Sequence, residues 1–248
     1  MAIRGADWQL FAQILNYIRN AVGPARPIRL LSLGYTDIMV SPAEVAAAFG
    51  DEVAAHVSVK TNADDIVRWH RGTSQVIETD SLYRALGFAA DYLDVQEVRG
   101  GEIIQDLNEP FPDRMIGAYD AVIDSGTLEH CFNVGQAIKN IASALRVGGI
   151  VNHGNPMVMI NHGFYNFSPQ FYYEFYLANG FKILDMFAVK IAASGIAIER
   201  LDGIARYRLP TPDDRTLQVI ARKERDAKLI WPTQTKYRAN PGQVAPTA

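Results

Sequence analysis

The order of sequence patterns predicts an α/β protein with a mostly parallel sheet that helices cover on both faces. Short apolar runs bounded by glycine, asparagine or proline alternate with segments of helical periodicity. Parallel strands need crossover connections, and the helical segments supply them. Two late apolar runs, 181–189 and 216–221, are joined by a connection (190–215) without a helical pattern. This late pair predicts antiparallel strands at one edge of the sheet.

The composition is that of an ordinary globular protein. The chain has 248 residues, of which 48% are apolar and 21% charged, enough to bury a core without disulfides. A net charge of −3 provides no positive field to attract nucleic acid. The single cysteine, Cys131, excludes an intrachain disulfide and predicts a cytoplasmic location. No apolar run predicts a signal peptide or a membrane span, so no membrane partner is expected.

The first third of the chain predicts helices around one buried strand. Apolar residues spaced by three and four predict an amphipathic helix over 5–22. The apolar run 28–33 predicts a strand that ends at Gly34. Ser41-Pro-Ala-Glu44 is typical of a capped helix start. Residues 37–79 are predicted to be an insertion that forms a lid or a substrate wall, and Asp80 is predicted to cap the helix that follows.

The remainder of the chain is more regular. Strands are predicted over 90–95, 102–106, 119–124 and 150–153, and helices over 134–145 and 168–178. After Arg225 the chain is rich in proline and lacks periodicity. We therefore predict one domain over 1–225 and a tail over 226–248, either disordered or draped over a neighbouring molecule, which leaves a homo-oligomer open.

Polar and glycine residues follow the predicted parallel strands where each strand ends. In open α/β sheets ligands bind beyond the carboxyl ends of the strands. Carboxylates there can accept hydrogen bonds from ribose hydroxyls or an adenine amine, and glycine turns let backbone amides approach a ligand. Any one of these residues is common at a strand end, but together they favour a nucleoside site. They are Gly34, Asp94, Asp106-Leu-Asn108, Asp124-Ser-Gly126 and His153-Gly-Asn155.

Three segments resemble one known family. The block Tyr119-Asp-Ala-Val-Ile-Asp-Ser-Gly-Thr-Leu-Glu-His130 resembles the fourth-strand motif of class I S-adenosylmethionine-dependent methyltransferases. Ala144-Leu-Arg-Val-Gly-Gly149 and Asn179-Gly-Phe181 resemble the segments that lead into strands five and six of that family. The resemblance extends over about 28–189. It implies a Rossmann-like sheet of seven strands and methyl transfer from S-adenosylmethionine to an oxygen or nitrogen of a small molecule.

The resemblance also implies a cofactor site at the strand ends. It comprises Gly34, Tyr35, Asp94, Asp106, Leu107, Asn108, Asp124, Ser125 and Gly126. The first strand departs from the family, because it is followed by one glycine where the family usually has three. This departure motivates the alternative of a non-catalytic binding or scaffold protein on the same fold. A nicotinamide dinucleotide fits less well, since its acidic ribose ligand follows the glycine turn by about 20 residues, whereas Asp94 follows Gly34 by 60.

Histidines near the strand ends are the candidate bases. An acceptor that carries a proton must lose it during methyl transfer, and histidine titrates near neutral pH. His130 and His153 are the predicted bases. Glu129, Asn155, His162 and Tyr165 are predicted to contact the acceptor, which could also be a protein side chain. No HExxH or CxxC spacing is present, so no metal is predicted.

Overall fold

We describe the chain from a computed structural model, in which residues 2–3, 5–23, 25–60, 76–192, 195–201 and 214–237 are described. The helices are α1 (Ala6–Val22), α2 (Pro42–Phe49), α3 (Asp51–Ala54), α4 (Thr79–Ala85), α5 (Val134–Ala144) and α6 (Pro169–Ala178). The strands are β1 (Ala2–Ile3), β2 (Ile28–Leu33), β3 (Asp37–Ile38), β4 (Val59–Lys60), β5 (Val76–Ile77), β6 (Phe88–Asp94), β7 (Ile103–Ile104), β8 (Tyr119–Asp124), β9 (Leu145–Val158), β10 (Phe181–Ala192), β11 (Gly195–Arg200) and β12 (Arg215–Lys223). Within the described residues, no helix is long and apolar enough to cross a membrane.

The main sheet has the order β11-β10-β12-β9-β8-β2-β6-β7. The pairs β7–β6, β6–β2, β2–β8 and β8–β9 are parallel, whereas β9–β12, β12–β10 and β10–β11 are antiparallel. The predicted α/β, Rossmann-like sheet with an antiparallel edge is therefore confirmed, with eight strands rather than seven. The additional strand, β11, comes from the connection between the two late strands.

Both faces of the main sheet are covered, because its central strands alternate apolar side chains between two cores. Leu30 on β2 packs into the core beneath α1 and α4. Leu31, its neighbour, packs into the core beneath α5 and α6. The sheet is thus the middle of three layers.

The segment predicted as an insertion contributes to a second, small sheet. Its strand order is β1-β3-β5-β4, and it places the N-terminal strand beside residues 37–38. The capping box at Ser41 and Glu44 starts α2 as predicted. Residues 61–75 lie outside the described part of the chain, and the role of 37–79 as a lid or substrate wall stays a prediction.

Several element boundaries differ from those predicted. Glu78, not Asp80, caps α4, because its side chain accepts from the Ser81 amide while Asp80 pairs with Arg84. The strand predicted over 102–106 is only two residues long, and β9 is fourteen residues long rather than four.

The first part of the predicted tail lies along α5 and α6. Ile230 exchanges hydrogen bonds with the side chain of Asn179 (2.7 and 3.1 Å), and Thr235 donates twice to the Glu174 carboxylate (2.8 and 2.9 Å). The Trp231 ring lies over Gly135 at the start of α5. Residues 238–248 lie outside the described part of the chain.

Candidate active site

The strand register brings the predicted rim residues to one edge of the main sheet. Leu33 at the end of β2 pairs with Leu93 on one side and with Asp124 on the other. Gly34, which follows β2, is therefore next to Asp94 at the end of β6 on one side and next to Ser125, which follows β8, on the other. After β2 the chain continues to β6, which pairs with one side of β2. It later returns to β8, which pairs with the other side of β2. The gap between β2 and β8 is consequently a topological switch point, where open α/β sheets bind ligands.

The turn after β2 depends on a glycine. Gly34 has a φ of +77°, a conformation that strains other residues. Its amide donates to the Leu93 carbonyl (2.8 Å), and the Thr127 hydroxyl donates to the Leu33 carbonyl (2.9 Å). The turn is thus fixed between β6 and the segment after β8, with its backbone at the rim.

Asp94 presents one carboxylate oxygen at the rim. Its Oδ1 accepts from the amides of Val95 (2.7 Å) and Gln96 (3.4 Å). Within the described residues, Oδ2 has no hydrogen-bond partner. The carboxylate is therefore oriented by its own turn and has one oxygen that the described residues do not engage.

The 106–108 turn is fastened to the start of α5. Asp106 Oδ1 accepts from both nitrogens of Asn108 (2.8 Å each), and Asn108 Oδ1 accepts from the Asn133 amide (2.7 Å). Leu107 is buried in the core beneath α5, and its carbonyl accepts from Asn140. Asp106 is exposed at the rim, whereas the side chains of Leu107 and Asn108 face protein.

Asp124 and His153 lie in the core below the rim, and both are completely buried. Asp124 accepts from the Thr127 and Leu128 amides and from His153 Nδ1 (2.7 Å). His153 Nε2 contacts the Tyr176 hydroxyl (2.6 Å). Burial alone would raise the pKa of Asp124, but the hydrogen bond and charge of His153 and the Thr127 amide hold this pKa below its usual value.

These contacts assign His153 and Asp124 to positioning. Both ring nitrogens of His153 are occupied by protein groups, so neither reaches an acceptor molecule. Asp124 fixes the 125–128 turn, and Ser125 and Gly126 follow it at the rim.

Tyr35 turns away from the rim. Its ring packs on Tyr92 with centroids 4.7 Å apart, and its hydroxyl donates to Glu78. The Arg99 guanidinium lies 4.5 Å from the Tyr35 ring centroid and pairs with Asp37 (2.5 Å). Sequence reasoning missed this cluster, because Arg99 follows no strand or helix pattern.

A cavity of about 210 Å³ adjoins the rim, between α1 and the face formed by β9 and β12. It is lined by Ile3, Asp7, Leu10, Phe11, Ile14, Ser125, Glu129, Asn152, Gly154, Pro156, Met159, His162, Thr216 and Gln218. Three of these side chains carry a buried oxygen without a hydrogen-bond partner: Glu129 Oε1, Asn152 Oδ1 and Gln218 Oε1. A mostly apolar cavity with a few unpaired polar atoms is typical of a small-molecule site.

Glu129 is the most deeply buried charged residue of this cavity, with a side chain only 1% exposed. Its Oε2 accepts from Asn155 Nδ2 (2.9 Å), and Asn155 Oδ1 accepts from the Tyr172 hydroxyl (2.6 Å). Burial, followed by the charge of Asp124, raises the pKa of Glu129 to about 7. Glu129 can therefore hold or release a proton near neutral pH, and Asn155 orients it from the core side.

Two histidines approach Glu129 from the surface. His162 Nε2 lies 3.5 Å and His130 Nε2 lies 3.9 Å from Glu129 Oε1. Burial, followed by the positive charge of His162, lowers the pKa of His130. Tyr165 instead donates to the Phe132 carbonyl (2.8 Å) and fastens the loop that carries His162.

Comparisons with known proteins give solved structures of low similarity. No family model matches the chain, and no curated protein matches it. The 1,6-didemethyltoxoflavin-N1-methyltransferase of Burkholderia thailandensis, solved with S-adenosylhomocysteine, is 15% identical over 88% of this chain and 78% of its own, with a TM-score of 0.46. The branched-chain polyamine synthase of Thermus thermophilus is 14% identical over 92% of this chain and 59% of its own, with a TM-score of 0.47. The [4+2]-cyclase SpnF is 17% identical over 89% of this chain and 83% of its own, with a TM-score of 0.42. These proteins differ in the reactions that they perform, so similarity to them does not fix a reaction for this chain.

Proposed function

We propose that the chain binds S-adenosylmethionine at the carboxyl edge of its main sheet and transfers the methyl group to a small molecule in the adjoining cavity. The observation that carries this proposal is the juxtaposition of the β2–β8 switch point with the cavity under α1. Ser125 belongs to both, since it follows β8 and lines the cavity. A cofactor at the rim would therefore present its reactive end to the cavity.

The residues at the rim suit a nucleoside that carries a sulfonium. The free oxygen of Asp94 would accept from the ribose hydroxyls, and the exposed Asp106 carboxylate would meet the adenine amine. Charge-assisted hydrogen bonds of this kind contribute about 1.5–3 kcal/mol each. The backbone of Gly34 and of Ser125-Gly126 would contact the methionine part. S-adenosylmethionine, when bound, supplies an activated methyl group.

The cavity suits a small acceptor rather than a polymer. Its wall is largely apolar, with polar atoms of Glu129, Asn152 and Gln218 that would orient the acceptor by hydrogen bonds. Gly154 contributes by its lack of a side chain, because a Cβ there would lie 2.8 Å from Gln218 Nε2. The acceptor atom would lie at the Ser125–Glu129 end of the cavity, next to the rim.

Methyl transfer requires mainly positioning, since the methyl group passes in line from sulfur to the acceptor atom. An oxygen or nitrogen nucleophile also loses a proton. Glu129 takes this role best, because its pKa of about 7 matches neutral pH and its free Oε1 faces the cavity. His162 lines the same end of the cavity and would pass the proton to solvent.

Calorimetry with S-adenosylmethionine and S-adenosylhomocysteine tests the cofactor part. We expect one site per chain, and a lack of heat with either ligand at millimolar concentration would reject the proposal. Transfer of a labelled methyl group to the small-molecule fraction of a metabolite extract tests the second part. Cofactor binding without transfer to any fraction would instead support a non-catalytic binding protein, and label in the protein fraction would support a protein acceptor.

A further inference from the structure

Three metal-binding side chains converge at the mouth of the cavity. One donor atom from each of Glu129, His130 and His162 lies within 4.8 Å of the other two. Two of the donor distances, from Glu129 Oε1 to the Nε2 atoms, are 3.5 and 3.9 Å. These exceed a hydrogen bond but suit a shared ion, since tetrahedral zinc with bonds of about 2.0 Å separates its ligands by about 3.3 Å.

The buried carboxylate supplies an observation independent of the histidines. Glu129 Oε1 is buried and has no hydrogen-bond partner, while Oε2 is held by Asn155. An unpartnered buried oxygen is costly unless something binds it. Its free oxygen is aimed at the two imidazole rings, whose centroids are 5.5 Å apart.

The backbone also holds this arrangement in place. The Phe164 amide donates to the Glu129 carbonyl (2.9 Å), which docks the loop of His162 against the turn of His130. A Cβ at Gly163 would lie 2.9 Å from the Glu129 carbonyl oxygen, so the glycine permits this close approach. The two histidines belong to separate segments, and the sequence therefore carries no compact metal motif.

We propose that Glu129, His130 and His162 bind one divalent transition-metal ion, such as Zn²⁺. Two imidazoles and one carboxylate are a ligand set that zinc commonly takes, with a fourth position open. Because Glu129 and His162 line the cavity, an ion held by them would lie next to an acceptor bound in the cavity. With Glu129 Oε1 as its ligand, the ion would take over from Glu129 the task of favouring loss of the acceptor's proton, by polarising the acceptor oxygen or nitrogen. This consequence rests on the function proposed above, whereas metal binding itself does not.

Titration with Zn²⁺ tests the site directly. The full chain, purified without a histidine tag and treated with a chelator, should bind one equivalent by calorimetry. Co²⁺ should give visible absorption bands of a four- or five-coordinate ion. His130→Ala and His162→Ala should each weaken the Zn²⁺ affinity by at least about tenfold. His56→Ala is the matched control, because His56 is exposed and lies in the turn after α3, outside the cluster.

The two histidine variants should remain folded, so a change in their Zn²⁺ affinity can be attributed to the lost ligand. Both side chains are about half exposed (52% and 42%), so their loss should leave the circular dichroism spectrum unchanged, whereas Glu129→Gln alters the core. Wild-type affinity in folded His130→Ala and His162→Ala would overturn the proposal, as would binding of less than one equivalent by the wild type.

Titration of S-adenosylhomocysteine into the same metal-free wild type separates the two proposals. Zinc binding without S-adenosylhomocysteine binding would leave the metal site standing and reject the function. Binding of S-adenosylhomocysteine without zinc binding would reject the metal site and leave the proposed function standing.

Discussion

Single acidic residues at the strand ends differ in how many of their oxygens the protein already uses. Asp94 has one oxygen held by its own turn and one without a partner in the described residues. Asp124 has both oxygens engaged by backbone amides and a histidine. The protein therefore uses both oxygens of Asp124 to hold its own fold, whereas one oxygen of Asp94 could accept from the proposed ligand.

Asp94→Asn should weaken S-adenosylhomocysteine binding by about 10- to 100-fold. The asparagine oxygen can still accept from Val95 and Gln96, so the turn persists, but the charged acceptor for the ribose is lost. Calorimetry of the variant measures the loss. Asp113→Asn is the control, because Asp113 is exposed and precedes β8 at the opposite, amino edge of the sheet. Equal affinities in the wild type and a folded Asp94→Asn would remove Asp94 from the site.

Asp124→Asn should lower the free energy of unfolding at pH 7 by about 2–4 kcal/mol. The folded chain holds the pKa of Asp124 below its unfolded value. The ionised form therefore stabilises the fold above an unfolded pKa near 4, and this contribution is lost as the pH falls toward the lower folded pKa. Urea unfolding of the wild type and the variant at pH 7, 5 and 3 measures the difference. It should be largest at pH 7 and 5 and smaller at pH 3, and a constant difference would contradict this role for the carboxylate.

At the scale of whole elements, local signals decided which of them could be predicted. The strand β2 and the helix α2 follow from an apolar run ended by glycine and from a capping box. The length of β9 could not be predicted from the sequence. Gly148 and Gly149 are typical of a turn, but the strand includes both residues because it pairs with β8 on one side and with β12 on the other. The two-residue strands of the small sheet form through contacts between distant segments, which no local pattern records.

Contacts between distant segments also determine which residues form the site, and local sequence patterns do not record them. Strand alternation predicts that Asn152 and Gly154 share one face of β9 and that His153 and Asn155 share the other. It does not indicate which face borders the cavity, since this depends on where α1 packs. Sequence reasoning therefore placed His153 at the site, although Asn152 lines the cavity. Gln218 was missed because β12 pairs beside β9 only in the folded sheet.

Asn179→Ala should release the 229–235 segment from α6. The side chain of Asn179 accepts from the Ile230 amide and donates to its carbonyl, so the variant loses two hydrogen bonds that fasten the segment. We expect a loss of about 1–3 kcal/mol and faster proteolytic cleavage after residue 225, measured by urea unfolding and by mass spectrometry of the fragments. Asn20→Ala, on the exposed face of α1, should change neither. Unchanged cleavage in Asn179→Ala would show that Trp231 and Glu174 suffice to hold the segment.

At the scale of the whole molecule, strands whose side chains belong to both cores end at the carboxyl edge, where we propose that the cofactor binds. Leu93 on β6 and Val122 on β8 belong to the core beneath α5 and α6, whereas Tyr92 and Ile123 on the same strands belong to the core beneath α1 and α4. A ligand at the rim would contact the ends of strands that anchor both cores. Binding there should consequently stabilise the fold as one unit rather than one layer of it.

S-adenosylhomocysteine at about 100 times its dissociation constant should stabilise the folded chain by about 2.7 kcal/mol. For a chain of this size that corresponds to a rise in Tm of roughly 5–10 °C. Differential scanning calorimetry should show a single unfolding transition that shifts to higher temperature, because strands of both cores end at the rim. NAD⁺ at the same concentration is the control and should leave the Tm unchanged, since the rim lacks the glycine turns that a diphosphate needs. Two transitions, of which only one responds to the ligand, would contradict the coupling of the cores through the rim.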